Sequence, residues 1–124
     1  MKDLRISTEL ASAVLGKEVT KCSLINKSRN SINITYFEDK EDFNPICREW
    51  NIYEFAFKCK EWATKYNFQL VSWTVAFEAV KKKGYCQTHN TQDKNRENDK
   101  PFREHTEIEA IIKASEYVLS EVNK

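Results

Sequence analysis

The sequence predicts an α+β fold: a small antiparallel sheet of three to four strands packed with three helices, in the order α-β-β-α-β-(β)-α. Three observations carry this. Residues 51–66 and 106–122 repeat apolar side chains every three or four positions, the spacing of a helix with one buried face. Residues 18–25, 31–37 and 68–75 are rich in β-branched and aromatic types, and the first two alternate polar with apolar. A chain of 124 residues with two Gly and two Pro suits a single domain, 1–124, with few flexible links. An antiparallel sheet carrying helices is then the layer arrangement that covers every apolar face.

At the N-terminus, Ser7 or Thr8 caps a short helix, with Glu9 in the first turn where the helix dipole favours a negative charge. Leu10, Ala11, Val14 and Leu15 form its buried stripe, and Gly16 ends it with a positive φ. EVTKCSLI (18–25) and SINITYF (31–37) are two strands joined by the turn NKSRN (26–30). Ile32, Ile34 and Tyr36 face one side of the second strand, Asn33 and Thr35 the other.

Residues 38–50 read as a loop with five acids against two bases, and Trp50 as a staple at the entry of the next helix. That helix, 51–66, is the centre of the core. Asn51 caps it; Ile52, Phe55, Cys59, Trp62 and Tyr66 line its apolar face, with Ala56 and Ala63 beside them; Asn67 ends it. In the strand at 68–75, Val71, Trp73 and Val75 share one face. Residues 76–87 suit either a short helix or a further strand with a turn at Gly84, and we expect a strand continuing past a hairpin. Residues 88–103 form a long polar loop. Thr106 and Glu109 then make a capping box, T-x-x-E, for a last helix whose stripe is Ile108, Ile111, Ile112, Ser115, Leu119 and Val122.

The charge balance is even, 20 basic against 19 acidic residues, whereas a dedicated duplex-binding protein carries a larger basic excess. No apolar run approaches a membrane span, so no membrane partner is expected. The N-terminus shows no signal-peptide core, which points to the cytoplasm and to reduced thiols at Cys22, Cys47, Cys59 and Cys86. Two glycines cannot build a phosphate loop or a dinucleotide fingerprint, and no cofactor is expected. Cys86-x-x-His89, with His105 beyond it, is the one grouping that could serve as a nucleophile pair or half a zinc site; it lacks a second ligand pair and an orienting third residue. The acid pairs Glu38-Asp39 and Glu41-Asp42 read as solvated surface.

Residues 81–103 carry the strongest functional signal. Seven basic residues stand there against three acidic ones, with aromatic rings among them. Cations beside flat rings suit a ligand with phosphate and base, by charge contact and stacking. The expected ligand-binding residues are Trp73, Lys81, Lys82, Lys83, Tyr85, Arg96, Lys100 and Arg103. The acidic 38–49 stretch and this basic one are complementary, so contact between two copies of the chain is a further expectation.

Three places resemble small phage- and prophage-encoded proteins built as an α-β-α sandwich of three helices and a few antiparallel strands. They are Leu10-Ala11-Ser12-Ala13-Val14-Leu15-Gly16, the N-I-Y entry of the helix at 51, and Thr106-Glu107-Ile108-Glu109-Ala110-Ile111 with Ala114 following. The chain departs from the pattern in its longer, more charged 81–103 segment. The resemblance implies a phage accessory gene acting in the host cytoplasm, and supplies no catalytic residues. The expected function is therefore a non-enzymatic counter-defence protein that sequesters a small anionic, nucleotide-like ligand. The alternatives are direct inhibition of a host defence protein or nuclease complex, a small nucleotide-processing enzyme using Cys86, His89 or His105, and a nucleic-acid-binding module.

Overall fold

The structure, a computed structural model, describes residues 4–26, 30–38, 44–78 and 81–124, with backbone alone at 24–26, 77–78 and 81. The fold class is α+β, as expected, but the described strands form two three-stranded antiparallel sheets where a single sheet of three to four was expected. By its internal contacts the chain divides into two compact units, Lys2–Lys58 and Cys59–Lys124. Among the described residues no helix is long and apolar enough to cross a membrane.

The first unit begins with α1 (Thr8–Leu15). Ser7 Oγ accepts from Leu10 N at 3.0 Å, and Gly16 ends the helix at φ 66°, both as the sequence predicts. Ser12 Oγ accepts from Val19 N and so ties α1 to the strand that follows. Strand β1 (Glu18–Asn26) pairs antiparallel with β2 (Ser31–Phe37), Cys22 opposite Ile34. The turn expected at 26–30 falls outside the described residues at 27–29, as do Asp39, Glu41 and Asp42 of the acidic stretch. In β2, Ile32, Ile34 and Tyr36 are fully buried, while Asn33 and Thr35 stay half-exposed. Burying each such apolar side chain contributes about 1.5–3 kcal/mol.

The loop expected over 38–50 is overturned in its second half, where β3 (Ile46–Asn51) pairs with β2, Trp50 opposite Ile32. β3 is a mostly exposed edge strand, so it carries no alternating pattern by which it could be read. Trp50 lies in this strand, its ring capped by the Lys58 ammonium at 5.8 Å.

Helix α2 (Ile52–Lys65) starts where Asn51 Oδ1 accepts from Tyr53 N and Glu54 N. Ile52, Phe55, Ala56, Cys59, Trp62 and Ala63 are buried as expected. Tyr66 is not: it lies past the last helical residue, 44% exposed, with its ring tilted against Trp62. Asn67, at φ 67°, turns the chain out of the helix.

The second unit holds β4 (Phe68–Glu78), β5 (Lys81–Asn90) and β6 (Lys100–Glu104), with β5 central and both pairings antiparallel. Residues 81–90 are therefore strand, and Gly84 is no turn. It sits within β5 between Thr74 and Glu104, and a Cβ there would overlap the backbone of Thr106 and Glu107. The glycine is needed for close approach of the last helix, its φ being ordinary. The stretch 88–103 is likewise not one loop. It contains the end of β5, a short 3₁₀ turn at Arg96–Asn98 and most of β6, an edge strand that accommodates Pro101.

Helix α3 (Glu107–Val122) covers one side of this sheet. Thr106 caps it through Glu109 N, and the Thr106 hydroxyl donates to the Glu109 carboxylate. Ile108, Ile111, Ile112 and Ser115 are buried as expected; Ala110, Ala114 and Val118 complete the stripe, with Leu119 and Val122 at its margin.

Candidate functional site

Alternation along β5 sorts its side chains onto two sides. Gly84, Cys86 and Thr88 point toward α3 and are buried. Lys83, Tyr85, Gln87 and His89 point away from it. The neighbouring strands follow the same rule. Leu70 and Ser72 of β4 and Phe102 of β6 belong to the α3 side, where the Phe68 and Phe102 rings meet Tyr117 and Lys60 Nζ donates to Ser72 Oγ at 2.6 Å. Val71 and Trp73 of β4 and Pro101 and Arg103 of β6 belong to the other, open face. Val71 is 47% exposed there and Trp73 39%.

The register aligns one row across all three strands: Trp73, Tyr85 and Arg103. The Trp73 and Tyr85 rings stack with centroids 5.5 Å apart and planes 5° from parallel. The Arg103 guanidinium stands over the Tyr85 ring, 5.8 Å from its centroid. One row along, Lys83 Nζ donates to His105 Nδ1 at 3.4 Å. Lys83, Arg103, Glu104 and His105 line a shallow cleft of about 160 Å³ beside the stack. Glu104 also pairs with Lys113 of α3 at 3.5 Å.

Of the eight residues singled out from sequence, the fold thus gathers Trp73, Lys83, Tyr85 and Arg103. Three stand apart. Lys82 is exposed but has the opposite parity in β5, across from Ala76. Lys100 lies over the Tyr117 ring of α3 at 4.6 Å. Arg96 lies in the 3₁₀ turn, 4.0 Å from Asp99. The Lys81 side chain lies outside the described residues. His105 joins the group without having been expected in it, since its place depends on where β6 pairs.

A second cluster occupies the far end of the open face. His89 Nδ1 donates to Asp99 Oδ1 at 2.6 Å, and Gln87 Nε2 donates to Asp99 Oδ2 at 3.2 Å. The Asp99 side chain is only 4% exposed, so its charge is held by these donors and by Arg96 nearby. The contact ties the turn after β5 back onto the strand.

The pairing of Cys86 with His89 is not made. Three residues apart in a strand, the two side chains leave opposite faces of the sheet. Burial pushes the Cys86 thiol up to about 12, against a partial opposing pull from Lys60, which makes it a poor nucleophile. Cys59 is raised to about 12 as well, by burial first, with its hydrogen bond to Ser115 working the other way. Among the described residues no three His, Cys, Asp or Glu side chains converge as a metal site. No family model, curated protein or solved structure matches this chain.

Proposed function

We propose that this protein acts by binding, and that the open face of β4-β5-β6 takes a ligand joining a flat ring to a phosphate, as nucleotides do. One observation carries the reading: Trp73, Tyr85 and Arg103 stand in a single cross-strand row, ring on ring with a guanidinium over the Tyr85 ring, beside the Lys83 ammonium. A base can stack on the exposed indole while Arg103 and Lys83 meet the phosphate. If the chain is a phage accessory protein, as the sequence resemblance implies, such binding would serve counter-defence by withholding a nucleotide-like molecule from the host.

The test is a thermal-shift and calorimetry series with nucleotides on the full chain, followed by mass measurement of what heating releases. Binding should be saturable, with the ligand returned intact. Trp73→Ala should weaken it about tenfold or more, since stacking of one base contributes roughly 1–3 kcal/mol. Undiminished binding by Trp73→Ala, or a chemically altered product, would overturn the proposal.

A further inference from the structure

We infer that the ligand on this face is a single-stranded nucleic acid of several nucleotides. The inference rests on the nucleotide reading above and extends it.

The first ground is shape. A site for one small molecule is a concavity of roughly 300–1,000 Å³ that buries most of its ligand. Here the cleft beside the stack holds about 160 Å³, and Trp73 and Val71 lie open on the sheet surface. A lone nucleotide laid on this face would keep much of its surface in water. A longer chain overcomes that by repeating a modest contact along the surface.

The second ground is the separation of ring and charge across the strands. Of the two rings, Trp73 on β4 is exposed and Tyr85 on β5 half-buried, while Arg103 stands on the β6 edge with Lys83 and His105 beside it. Successive rows on one face of a strand stand about 7 Å apart. A stretched strand can therefore set its bases over Trp73 and over the Val71–Gln87–Pro101 row, whose two outer members are exposed, and its phosphates along the β6 side. The overall charge of +1 gives no broad field for duplex DNA. Two local cations, Arg103 and Lys83, with a stacking surface suit single strands instead.

The experiment titrates the full chain with thymidine monophosphate, uridine monophosphate, and eight-nucleotide oligo-dT and oligo-U, by calorimetry and fluorescence anisotropy. The octamers should bind at least 30-fold more tightly than either monophosphate, and preference between them tells DNA from RNA. Neutralising about two phosphates gives a log–log salt slope near −1.4 for a single strand, a loss of about 25-fold per tenfold rise in salt. Arg103→Glu should weaken octamer binding at least tenfold, whereas Lys124→Glu, at the end of α3, should leave it within twofold. Arg103→Gln replaces the reversal if that variant melts early. Monophosphates binding as tightly as octamers would overturn the inference while leaving the nucleotide reading intact; binding of neither would overturn both. Octamer binding indifferent to Arg103 would overturn the placement.

Discussion

Gly84 in the middle of β5 and Glu107 at the start of α3 approach so closely that a Cβ on Gly84 would overlap the Glu107 backbone nitrogen. The helix lies directly on the sheet at this point, which fixes where α3 begins and hence which face of β5 stays open. Gly84→Ala should force the helix off the strand and cost about 3 kcal/mol, the upper range for overpacking a well-filled site. Gly16→Ala provides the contrast. Nothing lies near a Cβ there, and only the left-handed backbone is strained, so the loss should be about 1–2 kcal/mol. Urea unfolding of both variants checks the order.

The cysteines should separate by accessibility. Cys47 is exposed, whereas Cys59 and Cys86 are buried. At pH 8 a thiol reagent should modify Cys47 first, and Cys59 and Cys86 only after denaturant is added. Modification of either buried thiol in the native protein at a rate near that of Cys47 would contradict the packing of α2 and β5.

Those same two thiols make stability fall on the alkaline side. Burial keeps both protonated up to about 12, while in the unfolded chain they ionise near 9. Above pH 9 the unfolded chain sheds protons that the folded chain retains, so stability is full below pH 9 and declines as pH rises toward 12. Unfolding free energy measured from pH 8 to 11 should fall less steeply in the Cys59→Ala/Cys86→Ala variant than in the parent. Parallel slopes would show that other groups govern that limb.

Asp99 anchors the turn between β5 and β6. Asp99→Ala leaves the His89 and Gln87 donors without their acceptor, at a cost of about 1–3 kcal/mol. Asp99→Asn retains an acceptor and should cost less. Limited proteolysis offers a local readout: cleavage within 91–98 should quicken in Asp99→Ala while cleavage elsewhere changes little.

The α3 cap rests on one hydroxyl, which accepts from Glu109 N and donates to the Glu109 carboxylate. Thr106→Ala should cost about 1 kcal/mol, and Thr106→Ser only a few tenths, in thermal or urea unfolding.

Much of this fold was legible because its signals are local. Asn51, Thr106, Gly16 and Asn67 announce helix ends by their own chemistry, and the stripes of α2 and α3 repeat at the helical period. The exceptions follow from the same locality. Tyr66 continues the apolar spacing of α2, yet it falls one residue past the helix end, in the turn that Asn67 completes. Gly84 reads as a turn residue unless the helix lying against it is known. β3 and β6 are edge strands with exposed side chains, so neither carries an alternation to detect.

The sequence by itself determined the α+β class, the caps, the buried faces of the helices, and a cationic, aromatic segment at 81–103. Only the tertiary structure decided which of those cations and rings meet. The pairing of β4, β5 and β6 brings Trp73, Tyr85, Lys83 and Arg103 to one face, sends Lys100 to Tyr117, and parts Cys86 from His89. The physical reason is register. A strand's side chains alternate at a period of two, so the backbone pairing of segments far apart in the chain settles which side chains become neighbours, and a shift of one residue would exchange the faces.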